Sequence, residues 1–517
     1  MAVVFRGGDV KILSQGLGLL LIAVMLVAPS TQADEAPYLA PTQAQLRFSF
    51  ESITLPGSEQ MGLLGGTFLY DVNNWLRVGP GAYGALTGQR GGFITLGLAS
   101  EFRKELWSDV EINSGLFVGA GGGRGGFQLQ GGGLMLRSHL GGSVHSAWGN
   151  FGAGVSYVDF PNGSIHSFQP YLAYEYPFEV HVAKGWPDLS SERMVSHFAH
   201  SNESEFSVVY RSYRIPKGVV TDTGLPQHPT LNLLGVEWRR YLNKSLYTKI
   251  ESEGAMGGNS KGYMQILLGG GYRYQLTEST ALHASASLGV AGGGSVATGG
   301  GLLVDASLGL QQYLTDNLFV ELGGGYVAAP DGDFRAASIN AKLGHNFYMP
   351  DFGERSVGYG ELATYEQHRM RMRLVHQTYL KNDPGWRNHH ANLSVDLLGL
   401  QGDYFLSDRF YLSGQGIAAY SGQAGGYMTG LVGGGVHLPV FESPLFVDLE
   451  LLGGAAGGGG LDVGGGLVWQ ANAGLGYQFS EPYSLIASYG RIQSVRGNFK
   501  AHVIGVSLAY HFALFSN

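Results

Sequence analysis

The 517-residue chain contains no cysteine. That removes disulfide staples, thiolate metal sites and thiol catalysis at once. Charge is scarce as well: Asp, Glu, Lys and Arg make up 14% of the chain, the formal net charge is −8, and no basic run is long enough to engage nucleic acid. Beyond residue 34 no apolar stretch has the length and continuity of a transmembrane helix. What is abundant is glycine, 84 residues of it, yet gly-rich disorder does not fit a chain that is 44% hydrophobic and 12% aromatic. Such a chain buries apolar surface or presents it to something other than water.

The N-terminus reads as an export signal. Arg6 and Lys11 precede the apolar run "GLGLLLIAVMLVA", and "PSTQA" ends in small residues at Ala33. Cleavage there would start the mature chain at Asp34, which is not the cysteine of a lipoprotein anchor.

The glycines recur in a fixed phrase. "GAGGGRGGFQLQGGGLML" holds nine glycines in eighteen positions, and its GGGL tetrad returns twice, beginning at Gly131, Gly299 and Gly464, 168 and 165 residues apart. A long fixed period marks a duplicated structural unit. The middle copy divides into eight segments, 205–218, 231–242, 245–257, 262–276, 280–292, 301–314, 317–328 and 334–349, each of a length suited to a tilted membrane strand. Several alternate with period two. Leu282, Ala284, Ala286, Leu288 and Val290 oppose His283, Ser285, Ser287 and Gly289. Likewise Leu302, Val304, Ala306, Leu308 and Leu310 oppose Asp305, Ser307, Gly309 and Gln311. Short turns ("LNKS", "LTES", "LTDN") alternate with longer loops, and the third copy repeats the scheme with "LSDR", "FESP" and "FSEP". Short turns on one rim and long loops on the other is the pattern of an up-and-down barrel with its short turns on the periplasmic side.

The last strand, "HVIGVSLAYHF", puts Ile504, Val506, Leu508, Tyr510 and Phe512 on one face and ends in an aromatic. It resembles the C-terminal sorting strand of Gram-negative outer-membrane β-barrel proteins, and the first two copies close in the same manner at Phe178 and Phe347. One departure is plain: "ALFSN" follows Phe512, so Phe515 offers a second register. The resemblance implies an all-β fold, a transmembrane antiparallel up-and-down β-barrel of about 24 strands in three tandem eight-strand repeats. It also implies residence in the cell outer membrane, contact with outer-membrane lipid and lipopolysaccharide, and recognition of the C-terminal strand by the barrel assembly machinery.

The expected organisation is a signal peptide at 1–33, repeats at 34–180, 204–349 and 368–517, and linkers at 181–203 and 350–367. Either one wide barrel or three small ones is open. We favour three, because no inserted segment would plug a wide pore and the inward faces carry little charge. On this reading the glycines let strands bend and close a tight radius, with loose outer loops as the alternative for Gly292–Gly294. Candidate lumen-lining residues are Arg239, Lys249, Glu251, Glu253, Arg273, Asp305 and Glu321, either along a solute path or as a self-neutralising network. The third copy has Ser413 and Gln415 where the middle copy has Lys249 and Glu251. Candidate membrane-interface anchors are Tyr272, Tyr274, Tyr510 and Phe512, whose rings suit the headgroup zone.

Three stretches invite chemistry, and each has a plainer reading. "HFAHSNESE" gathers His197, His200, Ser201 and Glu203, but it lies in a joint between copies and reads as a polar linker. His389 and His390 are adjacent, so they point apart on an extended strand and read as solvated loop residues. Asp331 and Asp333 flank Gly332 in an ordinary Pro-Asp-Gly turn. No catalytic residue, metal site or cofactor is expected. The leading expectation is a non-enzymatic membrane protein, a scaffold or a channel for small solutes or an envelope polymer. The alternatives are a lipid- or polysaccharide-modifying enzyme and a surface adhesin or receptor.

Overall fold

The computed structural model describes residues 38–189 and 200–516. The proposed signal peptide and His197 lie outside these residues, as do the side chains of His200 and Ser201.

Barrel 1 is formed by β1 (Thr42–Thr54), β2 (Gln60–Asn73), β3 (Leu76–Thr87), β4 (Ile94–Trp107), β5 (Val110–Gly122), β6 (Leu134–Val144), β7 (Asn150–Asp159) and β8 (His166–Val180). Barrel 2 comprises β9 (His200–Arg214), β10 (Thr230–Tyr241), β11 (Leu246–Gly257), β12 (Met264–Gln275), β13 (Thr280–Gly292), β14 (Leu302–Tyr313), β15 (Leu318–Ala328) and β16 (Arg335–Asp351). Barrel 3 comprises β17 (Glu366–Lys381), β18 (Val395–Phe405), β19 (Phe410–Ala419), β20 (Met428–Pro439), β21 (Leu445–Gly457), β22 (Leu467–Ser480), β23 (Tyr483–Ser494) and β24 (Lys500–Ser516). Each closes on itself: β1 pairs with β8 (Ser49 opposite Ala173), β9 with β16 (Arg211 opposite Asn340) and β17 with β24 (Arg373 opposite Ala509). Three closed eight-strand antiparallel barrels, not one wide barrel, is the architecture.

Toward its short turns each barrel is apolar outside and polar inside, the reverse of a soluble protein. On β14, Leu308 is 68% exposed while Asp305 is fully buried. Leu282, Leu288, Leu322, Ile339 and Leu343 are exposed in the same way. Four successive strands with exposed aliphatic side chains on a closed barrel suit hydrocarbon, where a sheet satisfies every backbone N–H and C=O only if it closes.

Described residues of both linkers pack at the short-turn end. Ala183–Lys184 pairs with β24, with Ala183 opposite Ala513, and Tyr38–Leu39 pairs with Val357–Gly358. Together with Phe352, Leu362 and Phe515 these segments bury a small apolar core. Trp186 packs its indole on Phe405 and His511, with ring centroids 4.6 Å and 4.7 Å away. The four residues from Ala513 to Ser516 extend β24 past Phe512, with Ser516 opposite Glu366, and Phe515 is buried in that core.

Candidate functional site

Two regions concentrate polar or unusual chemistry: the barrel interiors and the junction where the three barrels meet.

All seven candidate lumen residues of barrel 2 project inward and are buried. Arg239 contacts Glu237 at 2.8 Å, Glu321 at 2.7 Å and Glu205 at 3.2 Å. Lys249 reaches Glu251 at 3.2 Å and Glu237 at 3.5 Å. Arg211, which the sequence reading did not single out, gathers Glu251, Glu253 and Asp305 within 3.2 Å. Lys342 joins Glu237 and Glu321 at 2.8 Å and 2.9 Å, and Arg273 pairs with Glu203 near the short-turn end. The seven belong to one connected set of ion pairs rather than a row of separate side chains.

Barrels 1 and 3 carry networks of their own. In barrel 1, Arg77 joins Glu111 at 2.9 Å and Glu101 at 3.2 Å, Arg47 pairs with Glu101, and Arg137 meets Glu51 at 2.6 Å. In barrel 3, Arg371 joins Asp403 at 2.7 Å and Asp448 at 2.8 Å, and Arg373 joins Asp403 at 2.8 Å and Glu450. Ser413 and Gln415, at the positions of Lys249 and Glu251, bond Gln401, and Ser413 also donates to Asp403 at 2.8 Å, so in barrel 3 uncharged side chains take up part of the network. The sequence reading missed these sets because it worked through the middle copy. The same period-two register applied to Arg47 and Glu51, or to Arg371 and Arg373, marks them equally well.

Toward the long-loop end each interior turns apolar. Phe93, Phe160 and Leu129 fill barrel 1; Tyr213, Tyr263 and Phe334 fill barrel 2; Tyr379, Tyr427, Trp386 and Phe499 fill barrel 3. Each described interior thus holds ion pairs toward the short turns and packed rings toward the long loops.

The glycine loops occupy the junction. The loop between the third and fourth strands of each barrel meets the loop between the fifth and sixth strands of the next, in cyclic order. Gly91 donates its N–H to Gly299 O at 2.9 Å, and the equivalent Gly425 donates to Gly131 O at 3.2 Å. The first tetrad glycines, Gly131, Gly299 and Gly464, have φ of 57°, 57° and 59°, and the third, Gly133, Gly301 and Gly466, have φ of 102°, 109° and 96°. Both are left-handed positions that a side chain resists. A Cβ on the third glycine would lie 2.2, 2.3 and 2.4 Å from the carbonyl oxygens of Ala419, Ala85 and Ala255, each in the neighbouring barrel. Three equivalent head-to-tail contacts thus close a ring about a pseudo-threefold axis. The alternative of loose loops at Gly292–Gly294 is corrected here: a Cβ on Gly292 or Gly293 would strike Gly91 or Gly262 of the loops packed against them. A second set of glycines, inside the strands, lies under rings; a Cβ at Gly271 or Gly435 would meet Tyr247 or Tyr411 at 2.4 Å and 2.3 Å.

On the axis these loops enclose an open recess of about 390 Å³, and twelve of its twenty lining residues are glycine. Its polar groups include Arg124 of barrel 1, Asp222 and Lys261 of barrel 2, and His389 and Gln423 of barrel 3, with Phe127 at the edge. Arg124 pairs with Asp222 at 3.4 Å and Lys261 with Asp462 at 3.7 Å, both across barrel boundaries. Behind the wall, the buried Arg387 donates to the carbonyls of Gly422 at 2.9 Å and Gln423 at 3.0 Å. With carbonyls rather than a carboxylate as partners, burial lowers its pKa to about 10.

The remaining candidates separate. Tyr272 and Tyr274 are exposed on the outer surface, whereas Tyr510 and Phe512 are half-buried and stack on each other at 5.8 Å. His390 packs edge-on against Phe127 at 5.0 Å, while His389 lines the recess. Asp333 accepts the Val220 N–H at 2.7 Å, the work of a loop brace. Among the described residues no group of three His, Asp or Glu side chains is arranged to hold a metal.

No family model and no curated protein matches the chain. Similar solved structures include a de novo designed transmembrane β-barrel (10% identity, 29% of this chain and 99% of that one, TM-score 0.20). The outer membrane protein Ail of Yersinia pestis is also similar (14% identity, 28% and 99%, TM-score 0.20). A third is the siderophore receptor PirA of Acinetobacter baumannii (8% identity, 91% and 80%, TM-score 0.28).

Proposed function

We propose, from the premise that the chain has the fold of an outer-membrane β-barrel protein, that it is a non-conducting structural platform: three filled barrels locked side by side to hold their long-loop end as one rigid outer face. The observation that carries this reading is the filling of every barrel, by ion pairs toward the short turns and by packed rings toward the long loops. A conduction path through Arg239, Lys249 or Glu251 would have to break pairs that leave charges unpaired in a low-dielectric interior.

On this reading the short turns face the periplasm, and the C-terminal strand is the segment offered to the barrel assembly machinery. Tyr272 and Tyr274 anchor at the lipid and lipopolysaccharide headgroups. The test is single-channel recording on the refolded mature chain in planar bilayers, with heat-modifiable migration confirming the fold. A silent bilayer is expected; steady conductance steps from folded protein would overturn the reading.

A further inference from the structure

We propose that the recess on the pseudo-threefold axis is a binding site for an anionic saccharide, a sugar bearing a phosphate or carboxylate. This goes beyond the platform reading and depends on the three barrels being associated, not on their being silent.

The charge arrangement points to the anion. Each barrel brings one basic group to the recess, Arg124, Lys261 and His389. The Arg124 and Lys261 side chains keep 41% and 40% of their surface open, and their carboxylate partners stand off at 3.4 Å and 3.7 Å. Both are longer than the 2.6–3.2 Å contacts of Arg137 and Arg211 inside the barrels, and N–H donors remain for a ligand oxygen.

The rest of the lining suits a sugar. Phe127 is 36% exposed and gives an apolar ring for sugar C–H groups, braced edge-on by His390 at 5.0 Å. Asp222 and Gln423 bring a carboxylate and an amide to hydroxyls, while twelve glycines keep the wall to bare peptide groups. A volume of about 390 Å³ accommodates a ligand of one or two sugar rings.

Backbone conformation adds an independent sign. Ser295 lines the recess at φ 61°, where the equivalent residues of barrels 1 and 3 are Gly125 and Gly460. Gln423, also in the lining, has φ 54°, and Arg387 holds its carbonyl. A non-glycine residue kept left-handed where its counterparts are glycine, as Ser295 is, fits a preorganised site.

The experiment is isothermal titration of the full mature chain in nanodiscs free of lipopolysaccharide. The probes are glucose 6-phosphate, galacturonate and, as the neutral comparator, glucose. The expected result is a saturable isotherm with one site per chain for an anionic probe and binding of glucose at least about tenfold weaker. Arg124→Gln with Lys261→Gln should weaken the anionic probe at least about tenfold, and the control pair Lys217→Gln with Arg496→Gln should leave it unchanged. Equal affinity for glucose, no saturable binding of either anion to heat-modifiable protein, or an unaffected Arg124→Gln/Lys261→Gln variant would overturn the proposal. The glucose comparison needs no variant, so it stands even where a variant fails to fold. Repeating the titration in nanodiscs containing lipopolysaccharide identifies the source. Loss of the isotherm assigns the natural occupant to the membrane, and an unchanged one assigns it to solution.

Discussion

Inside barrel 2, five cations and seven carboxylates share one set of ion pairs across the described residues. At the junction between barrels the contact surfaces are largely backbone, with glycine at most positions. The two regions solve different problems. A narrow barrel surrounded by lipid has an interior that long side chains must span, and charges there persist only if paired. Two barrels meeting in a bilayer gain little from the hydrophobic effect, so they associate through close packing and backbone hydrogen bonds, which small residues permit. One region is cohesive because of its side chains, the other because of their absence.

That contrast is open to attack from both sides. The largest effect is expected from Arg211→Ala, which strands Glu251, Glu253 and Asp305. It should cost about 3–5 kcal/mol, read as a lowered urea midpoint for the folded gel band. Gly301→Val comes next. A branched side chain at φ 109°, against the Ala85 carbonyl, should cost about 1–3 kcal/mol. That loss should fall on the junction: tryptic cleavage at Arg90 should accelerate while the interior stays folded. Arg387→Ala, which leaves the Gly422 and Gln423 carbonyls without their donor, should cost about 1–2 kcal/mol and loosen the recess wall, seen as faster amide exchange over 420–427. Smallest is Arg124→Gln, whose half-exposed pair with Asp222 should be worth under about 1 kcal/mol and vanish at high salt. A junction variant that unfolds the chain as severely as Arg211→Ala would collapse the distinction.

Much of the fold was legible in the sequence because lipid and a filled interior impose a strict period of two. The turns "LNKS", "LTES" and "LTDN" fall between strands ending at Tyr241, Gln275 and Tyr313 and strands beginning at Leu246, Thr280 and Leu318. Asp305 and Glu321 turn inward as their alternation requires. The junction was not legible, because period two separates inside from outside but cannot distinguish lipid from a neighbouring barrel. Val290 lies on the apolar outer face of β13, yet it is only 7% exposed, since a Cβ on Gly84 of barrel 1 would lie 2.7 Å from it. The tetrads marked the right place but not the reason, since a left-handed φ and a facing carbonyl in another barrel leave no separate trace in a string of glycines. The recess escaped notice for a related cause: Arg124, Lys261 and His389 lie far apart in sequence and converge only through the ring.

The central claim is that each repeat closes on itself. The chain has no cysteine of its own, so one engineered pair reports directly. Ser49 and Ala173 face each other across the seam of β1 and β8, 124 residues apart in sequence and both buried. In Ser49→Cys/Ala173→Cys the account predicts a disulfide that forms readily in the folded membrane protein, since directly opposed strand residues lie within about 5.5 Å between α-carbons. A folded protein whose two thiols stay free under oxidising conditions would contradict it, because in a single wide barrel β1 would pair with β24 and residues 49 and 173 would lie far apart.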